Sequence, residues 1–288
     1  MKSVVPIVTV LVALVAIWYA ASVWMNSAWT ISQAERAGES LTFAQIVSDT
    51  MGQKRPRLPA PHQVAAELWD TTVEKKITSK RSLVFHGWIT LRSTLWGFAL
   101  GTSLGILLAV GIVYSRVMEL SVMPWAVISQ TIPIVALAPM IIVLAASVGI
   151  EGRGLPKAVI SAYLCFFPVL VGMVKGLRSP DQMQLDLLDT YGASGATIFW
   201  KLRLPSSVPF LFTSLKIGIA AALVGTIVGE LPTGAIRGLG ARILIGDQFG
   251  NPLMIWSALF AAAILAGLLV TFFGLLQRLT LSKMGMVQ

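Results

Sequence analysis

Six long apolar stretches run through the chain, and the segments between them carry most of its charged residues. A helix needs about 20 apolar residues, each adding about 1.5 Å, to cross a hydrocarbon core of about 30 Å. The pattern therefore predicts an all-α polytopic membrane protein with about six transmembrane helices. The predicted spans are 4–25, 88–114, 122–150, 158–174, 208–229 and 254–276.

The first span has two possible interpretations. Lys2 precedes it, and small residues at 20–22 resemble a cleavage site, which is the pattern of a signal peptide. Its uncharged run is longer than the roughly 7–15 residues of a signal-peptide core. We therefore predict a retained N-terminal anchor over 1–25, with a cleaved signal as the alternative.

The second span carries a regular pattern of glycines. Gly97, Gly101 and Gly105 recur every four residues, so they share one helix face. Small residues at this spacing allow two helix backbones to approach closely. The pattern predicts that this face packs against another span.

The overall composition agrees with a membrane protein. The chain is 56% hydrophobic and 12% charged, whereas a soluble domain carries about 25% charged residues. So few charges would not cover a soluble surface, and disorder requires low hydrophobicity. The composition excludes an ordinary soluble or disordered protein and indicates that the chain is embedded in a lipid membrane.

The net charge of +9 does not form a single basic patch. Lys and Arg occur on both sides of the predicted spans, which argues against a nucleic-acid partner. Their distribution among the short loops favours a cytoplasmic N-terminus. With six spans, the C-terminal tail over 280–288 is then cytoplasmic as well, and Lys157 lies in an external loop.

Few residues are suited to catalysis or metal binding. The single cysteine, Cys165, lies in an apolar run, and the two histidines, His62 and His86, are far apart in sequence. We therefore expect no disulfide within the chain, no metal site, no cofactor and no catalytic residues. The G-x-x-x-x-G-K-[ST] phosphate loop is absent from the sequence, so the chain cannot hydrolyse ATP alone in the P-loop manner.

The segment 26–87 is external in this topology. Its stretch 58–62 contains two prolines and predicts an extended backbone. Val64, Leu68 and Trp69 then follow at helical spacing. We predict a short amphipathic helix at the outer membrane interface with Trp69 as its anchor, and the alternative is a flexible outer loop.

Between the fourth and fifth spans, the segment 176–205 predicts two short helices joined at a glycine. Ser179 is suited to cap the first helix, and Gly192 is suited to end it. Ser194 is suited to cap the second helix, which we expect Pro205 to end. The apolar face of the first helix consists of Met183, Leu187, Leu188 and Tyr191. We call the segment 176–205 the elbow. Its apolar face needs a partner protein, unless the elbow packs on its own helical bundle.

This elbow resembles the cytoplasmic loop of ATP-binding-cassette importer permeases, whose signature is E-A-A-x3-G-x9-I-x-L-P. Two leucines replace the signature alanines, while the carboxylate and the helical character remain. The aligned positions are Asp186, Leu187, Leu188, Gly192, Leu202, Leu204 and Pro205. The resemblance to the nitrate, sulfonate and taurine branch, which includes probable transporters of pyrimidine-type thiamine precursors, extends over roughly 58–276.

The resemblance implies a type-1 importer transmembrane fold over 88–279, in a subunit of the inner membrane. It implies a homodimer whose partners are cytoplasmic ATPase subunits and an external solute-binding protein. The solute would be a small anionic or heterocyclic molecule such as a sulfonate, nitrate or pyrimidine-type precursor. Ten residues of the loop 176–205 would couple to the ATPase: Asp186, Leu187, Leu188, Tyr191, Gly192, Ala193, Ser194, Leu202, Leu204 and Pro205.

Four further residues are candidates for the transport pathway. Pro133 and Pro139 interrupt the third span, where they would either line the pathway or only kink the helix. Lys216, about 12 Å into the fifth span, would either extend to the cytoplasmic face or pair within the protein, or it would bind an anionic substrate. Glu230 is expected to be an interface carboxylate, with proton coupling as the alternative. A self-contained secondary transporter is the alternative function, but no internal repeat supports it.

Overall fold

The computed structural model describes residues 4–38, 40–150, 152, 154–232 and 236–285. Twelve α-helices occur within these ranges, together with π-helical turns at Asp70–Glu74 and Phe199–Arg203. The helices are α1 (Val4–Ala37), α2 (Phe43–Gly52), α3 (Pro61–Trp69), α4 (Leu83–Tyr114), α5 (Arg116–Ser129), α6 (Ile134–Ser147), α7 (Gly154–Leu177), α8 (Gln182–Thr190), α9 (Gly195–Ile198), α10 (Leu204–Glu230), α11 (Leu239–Gln248) and α12 (Pro252–Lys283). The predicted all-α class is confirmed.

Five helical stretches in the described ranges are long and apolar enough to cross a membrane. They are α1, α4, α7, α12 and the continuous stretch formed by α9 and α10. The helices α5 and α6 meet this criterion only as a pair, and the angle between them is 103°. The prediction of about six spans is confirmed, but the third span is broken. Pro133 has an extended backbone immediately before α6, and it cannot continue the α5 helix because it lacks an N–H.

One compact unit comprises 1–86 and 241–262, and α1 is its longest helix. The Asn26 side chain of α1 donates to the Leu58 carbonyl at 2.8 Å and accepts from the Leu58 N–H at 3.2 Å. The Trp18 indole donates to the Pro59 carbonyl at 3.0 Å. The predicted extended stretch before α3 is therefore held along α1 by hydrogen bonds to its backbone.

The predicted amphipathic helix in this unit is confirmed as α3. Val64 is 3% exposed and Trp69 is 61% exposed, so the helix has one buried and one open side. Its placement at the outer membrane interface stays a prediction. The helix α2 is not predicted from the sequence, and the first helix extends beyond the predicted end at residue 25. α1 continues to Ala37 because its polar second half has partners, such as the Asp49 carboxylate that accepts from Thr30 at 2.7 Å.

The second compact unit comprises 87–240 and 263–288 and is built around α7. Leu170, Met173 and Leu177 of this helix are at most 1% exposed and form a core with Ala109 and Ile112 of α4. α7 also packs along α10 over much of its length. Apolar burial at this helix is the main packing contribution to the unit.

The glycine face of α4 lies directly against α7. A methyl group built on Gly97 would lie 2.3 Å from the Ser161 Cβ, and one on Gly101 would lie 2.7 Å from the Ala162 carbonyl oxygen. A methyl group on Gly105 would lie 2.7 Å from the Phe166 carbonyl oxygen. The predicted close contact is confirmed, because no larger residue fits at these three positions without moving a helix.

Gly97→Ala should lower the free energy of unfolding by about 1–3 kcal/mol, since the added methyl group overpacks the α4–α7 contact. The matched control is Gly267→Ala in α12, where no atom of the described residues lies within 4 Å of the added methyl group. That control should be neutral or slightly stabilising, because alanine is the better helix former. Thermal unfolding in detergent compares the two variants, and equal transition temperatures would contradict the packing argument.

Candidate functional site

The elbow begins two residues later than the sequence predicts. Ser179 does not cap the first helix, since its hydroxyl donates to the Gly176 carbonyl at the end of α7, at 2.7 Å. Asp181 instead has the extended backbone that precedes α8. The predicted start at Ser179 is therefore wrong: the serine hydroxyl bonds to the preceding helix, and α8 begins after Asp181.

The turn after α8 has the geometry that the sequence predicts. Gly192 has a φ of +67°, a left-handed conformation that glycine adopts without steric cost. Its N–H donates to the Asp189 carbonyl at 2.9 Å, and the Ala193 N–H donates to the Leu188 carbonyl at 3.0 Å. The Ser194 hydroxyl then accepts from the Thr197 N–H at 3.3 Å and caps the second helix. Both the glycine stop and the serine cap are confirmed.

The first helix of the elbow leaves an apolar surface open. Met183 is 78% exposed, Leu187 is 56% exposed and Tyr191 is 80% exposed, and they follow each other at intervals of four residues. We call these three residues the elbow face. No residue of α8 is buried by the described part of the chain. The apolar side of α8 is therefore left uncovered by the described residues.

The base of the elbow is attached firmly to the bundle. The Arg203 guanidinium donates to the Leu177 carbonyl at 2.8 Å, which joins the two ends of the loop. Arg178, directly after α7, pairs with Glu119 of α5 at 3.0 Å. The exposed face therefore sits on a base that is bonded to both α7 and α5.

The end of the elbow differs from the prediction. Pro205 does not stop the second helix, because the helix passes through a wider π-helical turn and continues as α10 to Glu230. The Leu204 N–H donates to the Phe199 carbonyl, five residues earlier, and Pro205 occupies the first turn of α10, where its missing N–H is tolerated. The proline marks a change of helix type at this point rather than a helix end.

The structure divides the ten predicted coupling residues into two groups. The side chain of Asp186 is exposed and accepts from the Gln182 amide at 2.8 Å. Leu202, Leu204 and Pro205 are half-buried, and Leu204 packs against the core around α7. The open group comprises Asp186, Leu187, Leu188, Tyr191, Gly192, Ala193 and Ser194, of which Leu188 and Ala193 are half-buried.

The candidate pathway residues do not form one cluster. Pro133 lies at the break between α5 and α6, and Pro139 lies on an exposed side of α6. Lys216 is half-buried on α10, and it forms no ion pair with any residue that the structure describes. Its two interpretations, extension to the membrane surface and binding of an anion, both stay predictions.

Glu230 is enclosed by protein, so the expectation of an interface carboxylate is wrong. Its side chain is 0% exposed and accepts from the Thr90 hydroxyl at 3.0 Å and from the Gly240 N–H at 2.8 Å. The Lys157 ammonium lies 3.4 Å away and is 6% exposed. The prediction that Lys157 lies in an external loop is also wrong, because Lys157 belongs to α7. Buried charges of this kind are retained when they are paired and hydrogen-bonded.

A line of polar contacts continues from this ion pair along α4, α7 and α10. The Thr94 hydroxyl donates to the Thr226 hydroxyl at 3.0 Å, and the Ser161 hydroxyl donates to the Ala222 carbonyl at 2.8 Å. These contacts join three spans inside the bundle. The described residues contain no group of three His, Cys, Asp or Glu side chains arranged to hold a metal ion.

Known proteins are similar to this chain in sequence. The family model described as a binding-protein-dependent transport system inner membrane component matches residues 101–285. The formylaminopyrimidine transport permease of Halalkalibacterium halodurans is 37% identical over 68% of this chain and 73% of its own length. The taurine transport system permease of Escherichia coli is 27% identical over 77% of this chain and 78% of its own length.

A solved structure is also similar to this chain. It is an inward-facing conformation of the MetNI methionine ABC transporter, with a TM-score of 0.57 and 22% sequence identity. The match covers 68% of this chain and 95% of the other chain. At this identity the similarity concerns the fold, and it confirms the predicted transmembrane architecture.

Proposed function

This chain belongs to the binding-protein-dependent transport system inner membrane components, and we propose that its elbow couples it to the ATPase. The chain is an importer permease subunit for small solutes. The resemblance to the sulfonate and taurine branch is confirmed by the similarity to its permeases. The chain is a multi-pass inner-membrane protein. In this family the catalytic ATPase is a separate subunit, so the energy must enter the chain through a protein contact.

The single observation that carries the coupling proposal is the open elbow face. Three large side chains, at least 56% exposed, project from a helix whose base is bonded to two spans. Desolvated aromatic and aliphatic anchors supply most of the affinity at protein interfaces. We place the ATPase groove over this face, with Asp186 beside it. Closure of the ATPase then displaces α7 and α10 together and switches the access of the pathway.

The assembly follows from one elbow per chain. We propose a homodimer of this chain, two ATPase subunits on the cytoplasmic side and an external solute-binding protein. Both chain termini are then cytoplasmic, so the elbow and the ATPase lie on the same side of the membrane. The Lys and Arg residues of the 175–203 segment support this orientation.

The proposed solute is a small anionic or heterocyclic molecule, such as a sulfonate, nitrate or pyrimidine-type precursor. The similar permeases are named for formylaminopyrimidine and taurine transport, which supports this range of chemistry. Lys216, half-buried in α10 without an acidic partner among the described residues, supplies a positive charge that would suit an anion. In this proposal Pro133 and Pro139 shape the pathway beside α6.

Reconstitution in proteoliposomes tests the function. The chain, its ATPase and its binding protein should together take up labelled taurine, a sulfonate or formylaminopyrimidine, and uptake should fall to background without ATP. Uptake by the chain alone, driven by an ion gradient, would identify the secondary transporter and contradict the proposal. The matched control replaces the ATPase with a variant that binds ATP but does not hydrolyse it.

A further inference from the structure

A groove at the start of α4 lies outside the elbow and its base. It encloses about 470 Å³ between the first half of α4 and the first turns of α7. Small-molecule sites commonly have volumes of about 300–1,000 Å³. The groove is lined by Trp88, Arg92, Ser93 and Trp96 from α4, and by residues that include Gly154 and Leu155 from α7.

Three of these side chains form a regular row. Trp88, Arg92 and Trp96 follow each other every four residues, so they lie on one face of α4, and all three line the groove. Trp88 is 65% exposed and Trp96 is 62% exposed, so both rings are open to a ligand. Ser93 adds a hydroxyl group to the same groove.

Arg92 carries a charge within a helix that is apolar enough to cross a membrane. It forms no ion pair with any described residue. The polar side chains on the other face of α4 are satisfied, since Thr90 donates to Glu230 and Thr94 donates to Thr226. Charges inside spans are costly, and they commonly mark a ligand or ion path.

The shape of the groove follows from how α4 and α7 separate. The two helices are in tight contact at Gly97, where a methyl group would lie 2.3 Å from the Ser161 Cβ. Near Gly154 the groove lies between them, and no described atom lies within 4 Å of a methyl group built on this glycine. The groove therefore has unfilled space on its α7 side.

We propose that this groove binds an oxyanion of the phosphate or sulfonate type, with Arg92 as its main contact. The planar guanidinium presents paired N–H donors that match two oxygens of such a group. The two indole rings hold the apolar or planar part of the ligand. Both an anionic lipid headgroup and a free organic anion have this chemistry. The site does not depend on the coupling proposal, and it is tested by binding to the chain alone.

Binding measurements on the full chain in nanodiscs test the site and separate the two sources. In phosphatidylcholine nanodiscs, calorimetry measures the affinity for benzenesulfonate; in a second arm, native mass spectrometry measures retained phosphatidylglycerol. Arg92→Gln should lower the affinity for benzenesulfonate, the retention of phosphatidylglycerol, or both by about tenfold, because one charge-assisted contact is lost. The control is Arg278→Gln, since Arg278 is an exposed arginine of α12. This control should change neither the benzenesulfonate affinity nor the phosphatidylglycerol retention.

A loss in the benzenesulfonate arm supports a free anion, and a loss in the phosphatidylglycerol arm supports a lipid headgroup. Equal behaviour of Arg92→Gln and Arg278→Gln in both arms, or no binding by the unmodified chain, overturns the site. If Arg92→Gln does not fold, the variant Gly154→Leu tests the site, because Gly154 lines the groove and no described atom lies within 4 Å of a methyl group built on it. Its control is Gly267→Leu, also in open space, and equal binding by these two variants overturns the proposal.

Discussion

Lys157→Met should lower the free energy of unfolding by about 3–5 kcal/mol, because it removes one partner of a buried ion pair. The ammonium and carboxylate groups lie 3.4 Å apart with exposures of 6% and 0%. Without this cation, the Glu230 carboxylate stays in a desolvated position, and the hydrogen bonds from Thr90 and Gly240 offset only part of the cost. Thermal and chemical unfolding in detergent measures the loss.

A double variant shows whether the unbalanced charge is the cause. Lys157→Met combined with Glu230→Gln removes both charges and keeps the shape of the acceptor, so it should recover roughly half of the lost stability or more. Lys175→Met controls for the loss of a lysine on the same helix, and its exposed side chain predicts a small effect. A double variant as unstable as Lys157→Met alone would show that packing, not charge, causes the loss.

Leu187→Glu should weaken the association of the chain with its ATPase by about 2 kcal/mol, or roughly thirty-fold in affinity. Leu187 lies at the centre of the elbow face and is 56% exposed, so a carboxylate there stays hydrated in the free chain. In the proposed complex the same carboxylate would be desolvated in an apolar groove. Co-purification of the ATPase and ATP-dependent uptake both measure the effect.

The control for this variant changes the charge by one unit on the same helix. Asp189→Asn lies on the opposite side of α8 from the elbow face, and its side chain is exposed. It should leave ATPase association within about threefold of the unmodified chain, a difference of less than 1 kcal/mol. If both variants retain the ATPase equally, the elbow face is not the contact surface.

The spans and the elbow could be predicted because their signals are local. A run of about 20 apolar residues defines a span whatever its neighbours are. Gly192 and Ser194 act within one turn of chain, and both have the predicted geometry. The glycine face of α4 could be predicted for the same reason, although the sequence does not show that α7 is the helix that packs against this face.

The parts that could not be predicted depend on distant residues. Lys157 and Glu230 are separated by 73 positions, and each alone looks like a charge at the end of a span. Only the packing of α7 on α10 brings them together and buries them. The start of α8 and the passage through Pro205 depend on a hydrogen bond from Ser179 to α7 and on the π-helical turn, and composition shows neither.

The close packing of α7 on α10 also limits how the bundle can deform. Near the elbow, a methyl group on Gly176 would lie 2.9 Å from the Ser207 Cα, and near the other end one on Gly225 would lie 2.9 Å from the Ser161 Cα. Helices in backbone contact at both ends have little freedom to bend separately or slide past each other. α7 has 24 residues, so it is about 36 Å long. A displacement applied at the elbow should therefore reach the Lys157–Glu230 end with almost the same amplitude, because the two helices move as one rigid unit.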